Sequence, residues 1–277
     1  ENSIGGCKHT LKNYQTVDNW VGQNNNQDTT NRERVASKYT IPPLFQNCCL
    51  QVPFELRPRS TDGVLLIGSQ RTGSYPHYDP TYTAAWNYLT HGKKRWVLFP
   101  PNISRETIVG KAAAQVDPKT NLDDIPRGTA EFYNALATKG AGYWWASEYP
   151  RLKAIKEEVG MVEIIQQPGE IIYVPQGWWH AVINISKWTV AITHNLIMPE
   201  TLVPSFRSAV DDDALFARRW WRCLKQFAPN YAEQIPKELV EECIVKSEQD
   251  LKLNYGMESD CDIFSSVLAR IDDELED

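Results

Sequence analysis

Long hydrophobic runs and an excess of positive charge are both missing from this 277-residue sequence. No apolar stretch approaches the roughly 20 residues that cross a bilayer, so we expect no membrane partner. Lysine and arginine number 29 against 35 aspartates and glutamates, which gives a formal net charge of −6. A broad basic surface of the kind that binds nucleic acid is therefore not favoured.

Cysteine is also scarce, and its spacing excludes the commonest structural use of the residue. No two cysteines are separated by two residues, so a structural zinc site of the C-x-x-C type is not indicated. Sparse cysteines are typical of reduced thiols and indicate an intracellular protein, nuclear or cytoplasmic. The six cysteines are Cys7, Cys48, Cys49, Cys223, Cys243 and Cys261.

The composition and hydrophobic spacing of the sequence predict three regions. Residues 1–38 are polar and rich in Gln, Asn and Thr, so we expect a surface arm. Residues 39–198 contain short apolar runs rich in Val, Ile, Trp and Tyr, which favour strands of a β sandwich or barrel. These runs lie at 64–68, 84–89, 95–99, 161–165, 170–174, 181–185 and 188–193.

Two further segments depart from the strand pattern. Residues 108–152 form a long excursion with helical features at 129–139, and we expect it to border the substrate entrance as a lid or binding surface. After residue 198 the apolar spacing becomes helical, with helices predicted at 214–227, 236–245 and 261–275. Residues 199–277 are therefore predicted to be a C-terminal helical region.

A small set of polar residues indicates a metal centre. Residues i and i+2 of a strand point to the same face, so His77 and Asp79 would project together while Tyr78 turns away. His180 follows about a hundred residues later, at the edge of another predicted strand. Two imidazoles and one carboxylate are the facial triad that holds Fe(II). Taken singly, His77 could be a histidine of a surface turn, and His180 a hydrogen-bonded histidine beside two tryptophans.

A lysine near these residues would extend the metal site. An oxygenase of this type needs a cation for the far carboxylate of a dicarboxylate co-substrate, and lysine can supply it as a point charge. Lys93 and Lys94 both stand at the start of a strong predicted strand. Spacing alone does not choose between them, and either could be a solvated lysine of the turn.

Two longer runs resemble the metal-binding halves of Jumonji-C (JmjC) domain oxygenases. They are HYDPTYTAAWNYLTHGKKRWVLFP at 77–100 and QPGEIIYVPQGWWHAVIN at 167–184. YTIP at 39–42 and AITHN at 191–195 are similar to further segments of the branch described as bifunctional arginine demethylase and lysyl hydroxylase. The resemblance covers about residues 39–226.

The resemblance implies a fold and a set of roles. The fold would be mainly β, a double-stranded β-helix (a cupin-like jelly roll) with flanking helices. The cofactor would be Fe(II), and 2-oxoglutarate and O2 would be co-substrates. The Fe(II) ligands would be His77, Asp79 and His180. The residues that hold 2-oxoglutarate would be Lys94 (not Lys93), Asn87, Tyr39, Ser74 and Thr193.

Some implied assignments stay open. One extra residue between 184 and 193 leaves Thr189 as an alternative to Thr193. C-terminal helices of the family often make a dimer contact, which predicts a homodimer through Trp220, Trp221, Leu224 and Phe227. The region 39–198 would be the catalytic domain, with 108–152 as an insertion.

The resemblance predicts an enzyme that hydroxylates a protein side chain, lysine first. Removal of N-methyl groups from arginine or lysine of histones or other proteins is a second activity that the branch suggests. Related jelly-roll oxygenases act on RNA or small molecules, and other cupin-like barrels are catalytically silent scaffolds. A zinc hydrolase could use the same three ligands, but it would not need the lysine.

Overall fold

The computed structural model describes residues 38–50, 63–117, 124–127 and 129–255. The predicted polar arm lies outside the described residues except for Lys38. The described chain forms two compact units. One contains residues 63–78 and 85–194, and the other contains residues 39–50, 79–84 and 195–255. The predicted domain boundaries, after residues 38 and 198, stay predictions.

Within the described residues, eight strands form two four-stranded sheets. Sheet A has the order β1-β8-β3-β6 and sheet B the order β2-β7-β4-β5, with antiparallel pairing. This confirms the predicted β-rich core. The strands are β1 Val64–Ser69, β2 Gly73–His77, β3 Ala84–His91, β4 Lys94–Phe99, β5 Val162–Gln166, β6 Ile171–Val174, β7 Trp179–Asn184 and β8 Trp188–Leu196.

Strand β2 is the one that the hydrophobic pattern did not predict. Its sequence, Gly-Ser-Tyr-Pro-His, has little strand character. The strand tolerates Pro76 because its register with β7 shifts between Ser74 and His77, a bulge where a ladder hydrogen bond is already lost. Strand β2, which carries His77, therefore has its bulge at the position where Pro76 cannot donate a backbone hydrogen bond.

Strand β4 of sheet B is buried on both faces from Trp96 to Phe99, which explains why this part of the sequence is a continuous apolar run. Trp96 and Leu98 face the interior between the sheets. Val97 and Phe99 point the other way and pack against helices. A strand that is covered on both sides needs apolar residues at every position.

The excursion after β4 is largely helical in its described part. Its helices are α1 Arg105–Val109, α2 Lys111–Ala114, α3 Ala130–Lys139 and α4 Ala141–Ala154. The helix predicted near 129–139 is confirmed as α3. In α4, Trp144 and Leu152 pack in the same core as Val97 and Phe99. Helix α4 thus covers the outer face of sheet B. The expected place of the excursion at the substrate entrance stays a prediction.

The second unit is built from helices, as predicted. They are α5 Leu202–Asp212, α6 Ala214–Phe227, α7 Pro229–Ala232 and α8 Lys237–Tyr255. Helix α6 has the bounds that the periodicity predicts, and Asp213 caps it by accepting a hydrogen bond from the Phe216 amide. The helix predicted at 261–275 lies outside the described residues. No helix in the described ranges combines the length and apolarity needed to cross a bilayer.

The packing of α6 corrects part of the predicted dimer contact. Trp220 and Leu224 are each 1% exposed and lie in the core of the second unit. Two apolar side chains buried in this way cannot also form an intermolecular surface. Trp221 is half-buried and Phe227 is exposed, so only these two could still serve.

Candidate metal centre

Two histidines face each other across neighbouring strands of sheet B. His77 of β2 and His180 of β7 are directly opposed in the antiparallel register. Their ring centroids lie 4.3 Å apart at an interplanar angle of 49°. Residues more than a hundred positions apart in sequence are therefore brought together by strand pairing.

Asp79 completes the cluster, although β2 ends at His77 and Asp79 lies two residues beyond the strand. Metal-ligating atoms of His77, Asp79 and His180 all lie within 4.8 Å of one another. Tyr78 turns away and packs edge-on against Trp179, with ring centroids 4.9 Å apart. Two nitrogens and one carboxylate oxygen at this separation match the donor set of a 2-His-1-carboxylate metal site.

Backbone carbonyls next to the two imidazoles favour the tautomer that can bind a metal. The Nδ1 of His77 lies 2.8 Å from the Tyr75 carbonyl, and that of His180 lies 3.3 Å from the Trp178 carbonyl. Because a carbonyl only accepts, each Nδ1 carries the proton, which places the lone pair on Nε2. This tautomer presents Nε2 to a metal.

Burial favours the neutral form of the second histidine. His180 is 5% exposed, and desolvation together with the nearby His77 holds its pKa well below the ordinary value of 6.5. A metal binds only the deprotonated imidazole nitrogen, so His180 is in its metal-binding form at neutral pH.

Lys94 lies on the same inward face of sheet B as His180. In the pairing of β4 with β7, Lys94 is opposite Asn184 and Leu98 is opposite His180. Side chains two and four residues apart on a strand share a face. Lys94 therefore lies on the face of Leu98 and His180, four residues or roughly 13 Å along the strand from Leu98. Lys93 is exposed, and the choice that spacing left open therefore falls on Lys94.

The ammonium group of Lys94 is buried without a counter-charge. Lys94 is 1% exposed, and among the described residues no ion pair or hydrogen bond to its side chain is present. Desolvation lowers its pKa from 10.5 to about 8. A buried cation without a partner is costly to the folded protein, and an anionic ligand would offset that cost.

Residues 8–201 of the sequence match the family described as "Cupin-like domain". The chain belongs to the cupin-like family. It is 29% identical to the "Bifunctional arginine demethylase and lysyl-hydroxylase psr-1" of Caenorhabditis elegans, over 83% of this chain and 50% of that protein. The corresponding Caenorhabditis briggsae protein is 31% identical over 71% of this chain and 45% of its own length.

A plant relative and a mouse relative extend the comparison. The "Lysine-specific demethylase JMJ21" of Arabidopsis thaliana is 36% identical over 58% of this chain and 15% of its own length. The mouse "2-oxoglutarate and iron-dependent oxygenase JMJD4" is 28% identical over 57% of this chain and 32% of that protein. The cupin-like chain thus spans half or less of these relatives. The predicted jelly-roll fold and the JmjC resemblance are confirmed.

The other predicted site residues of the cupin-like barrel differ in whether their polar atoms are hydrogen-bonded. Ser74 Oγ and Asn87 Oδ1 are buried and have no hydrogen-bond partner within the described ranges. The Thr193 hydroxyl donates to the Trp86 carbonyl at 2.8 Å, and the Thr189 hydroxyl donates to the Gly68 carbonyl at 3.3 Å. Both threonines lie on one face of β8, so the choice between them stays open.

Tyr39 is half-buried and belongs to the second unit, so its role stays a prediction. Two polar residues of the barrel were missed by the sequence reading. Asn184 donates to the Thr72 hydroxyl at 2.9 Å, and its Oδ1 is buried without a partner among the described residues. Gln166 is fully buried between the sheets. Neither stands in a motif, and only their strand pairing shows that they face inward.

Proposed function

We propose that this chain is an Fe(II)- and 2-oxoglutarate-dependent oxygenase. One observation carries the proposal: His180, a member of the cluster with His77 and Asp79, shares an inward face of sheet B with the buried, uncompensated Lys94. A zinc hydrolase or a silent scaffold has no use for a buried cation at this position. A dianionic co-substrate that chelates the metal at one end and needs a cation at the other would use all four residues.

Each side chain has a distinct task in this proposal. His77, Asp79 and His180 would hold Fe(II). Lys94 pairs with the far carboxylate of 2-oxoglutarate, while Ser74, Asn87, Thr193 and Tyr39 help to orient the co-substrate. The bound iron and 2-oxoglutarate supply the chemistry, in which O2 oxidises a substrate C–H bond and 2-oxoglutarate becomes succinate and CO2. The apolar interior formed by Trp96 and its neighbours excludes water.

We propose a protein side chain as the substrate, with lysine hydroxylation first. The printed names of the two Caenorhabditis relatives support this choice, because they combine lysyl hydroxylation with arginine demethylation. Removal of an N-methyl group from arginine or lysine, in histones or other proteins, is the second candidate. Both start with oxygen insertion at a C–H bond, so one metal centre serves either outcome. The compartment we propose is nuclear or cytoplasmic.

Incubation with Fe(II), 2-oxoglutarate and a peptide library, followed by mass spectrometry, tests this function. Products heavier by one oxygen, with matching succinate, mean hydroxylation, and loss of a methylene mass from methylated peptides means demethylation. Turnover only with RNA or small molecules would mean that the substrate is not a protein side chain. A protein that binds neither metal nor 2-oxoglutarate would favour the scaffold. If the chain forms a homodimer through α6, the contact would have to use Trp221 and Phe227.

A further inference from the structure

The turn that directly follows Asp79 has an unusual backbone. Thr81 and Tyr82 have φ angles of 56° and 51°, in the left-handed region that residues with a Cβ rarely occupy. In the described ranges, Arg71 is the other residue besides glycine with a positive φ. Two consecutive residues of this kind persist only when the surrounding structure holds them there.

Three side-chain hydrogen bonds within the second unit hold this turn. The Thr83 hydroxyl donates to the Pro80 carbonyl at 3.2 Å, and the Asn195 amide donates to the Thr83 hydroxyl at 2.6 Å. The Ser205 hydroxyl of α5 donates to the Tyr82 carbonyl at 2.9 Å. Ser205 is 0% exposed, so solvent cannot replace this bond when it is lost.

We propose that Ser205 is a positioning residue for the metal centre. Its hydroxyl holds the Tyr82 carbonyl, which keeps the turn in its left-handed conformation and so fixes the direction in which the chain presents the Asp79 carboxylate. The inference rests on the proposed function, because it takes Asp79 as a metal ligand. A ligand that is displaced by a fraction of an ångström binds its metal less tightly, so the residues behind a ligand control affinity.

The substitution Ser205→Ala tests this role with little change in volume. We expect Mn(II) to bind about five-fold more weakly in titration calorimetry, which is the typical effect of one lost hydrogen bond. In the metal-free protein, the backbone amides of residues 81–84 should exchange hydrogen faster. Ser208→Ala is the matched control, because Ser208 lies one turn on along α5 and, among the described residues, its side chain bonds to the exposed Asp212. It should leave both measurements unchanged.

A second substitution separates positioning from general stability. Asparagine adopts the left-handed region more readily than threonine, so Thr81→Asn in the Ser205→Ala background should regain most of the lost Mn(II) affinity. A lower melting temperature with unchanged affinity and unchanged exchange would overturn the positioning role. If Ser205→Ala does not fold, Asn195→Ala removes another bond to the same turn and carries the same expectation.

The Asp79→Ala variant distinguishes failure of this inference from failure of the proposed function. If Asp79→Ala binds Mn(II) as tightly as the wild type, Asp79 is not a ligand and both proposals fall. If Asp79→Ala loses the metal while Ser205→Ala keeps wild-type affinity and exchange, only the positioning role is overturned.

Discussion

At the scale of single residues, the most informative group is the ammonium of Lys94. The sequence left Lys93 and Lys94 as alternatives, because both are lysines at the start of a strand. The structure separates them by strand parity, since β4 begins at Lys94 and its inward positions are 94, 96 and 98. An unpaired buried charge does not stabilise a fold, so its presence indicates that Lys94 binds a ligand.

Lys94→Met should make the protein more stable and abolish its use of 2-oxoglutarate. Methionine is of similar length and needs no counter-charge, so we expect the free energy of unfolding at pH 7 to rise by about 1–3 kcal/mol. Denaturant unfolding measures the gain, and calorimetry measures the loss of 2-oxoglutarate binding. Lys93→Met, on the exposed side of the turn, is the control and should change neither. A destabilised Lys94→Met protein would mean that the lysine has a structural partner.

The low pKa of Lys94 also predicts a pH dependence of co-substrate binding. Because the pKa is about 8 in the folded protein, the charged form falls roughly ten-fold per pH unit above that value. The affinity of the Mn(II)-loaded protein for 2-oxoglutarate should therefore weaken from pH 8 to pH 9. Isothermal titration at several pH values measures it. A profile that is flat through this range would place the carboxylate elsewhere.

The same shift fixes the sign of the stability effect of Lys94. The folded-state pKa lies below the unfolded value of 10.5, so the unfolded chain binds more protons between about pH 8 and 10.5. The burial cost of Lys94 is complete below pH 8 and disappears as the pH rises to 10.5. The stability advantage of Lys94→Met should shrink over this window.

At the scale of elements, strands with continuous apolar composition were predictable and irregular ones were not. All seven predicted runs became strands, because burial on one or both faces leaves a strong local signal. Strand β2 contains Gly73 and Pro76 and was missed, although it carries His77. Its pairing with β7 comes from contacts distant in sequence, which no local pattern records.

Gln166 joins the two sheets, and its loss should be costly. Its amide donates to the Asn87 carbonyl at 2.9 Å and the Glu170 carbonyl at 3.1 Å, and its oxygen accepts from the Trp96 indole at 2.8 Å. Gln166→Leu would leave these three groups without their partner, so the free energy of unfolding should fall by about 2–4 kcal/mol. Chemical denaturation measures it.

Gln167→Leu is the matched control for this substitution. Gln167 is half-buried next in the chain, and its replacement should change the free energy of unfolding by less than about 0.5 kcal/mol. If both variants unfold alike, the bridge between the sheets contributes little to stability.

At the scale of the whole molecule, the sequence predicted a β core followed by helices, and the structure confirms that order. It did not predict that α4 would cover sheet B, because the helix contains Pro150 and its apolar face is only apparent beside Phe99. The sequence also did not predict that each of the two units combines segments that are separate in the chain. Residues 79–84 join the helices of the second unit although they begin two residues after His77.

The metal triad was predictable for a different reason. The expectation that His77 and Asp79 project together came from strand parity, and the expectation that His180 joins them came from the resemblance of the two motif blocks to a known family. The three residues do cluster, although Asp79 lies just beyond the end of β2. The supporting residues Asn184, Gln166 and Ser205 carry no such signal, since each is recognised only by a partner far away in the chain.

Fe(II)-dependent conversion of 2-oxoglutarate to succinate, in the presence of the peptide library, tests the central claim most directly. The wild type should form succinate, and His77→Ala and Asp79→Ala should lose at least about 100-fold of that rate, as expected when a ligand or its surroundings are lost, while their circular dichroism stays native. His91→Ala replaces an exposed histidine and should keep full activity. Full activity in either triad variant would contradict the account.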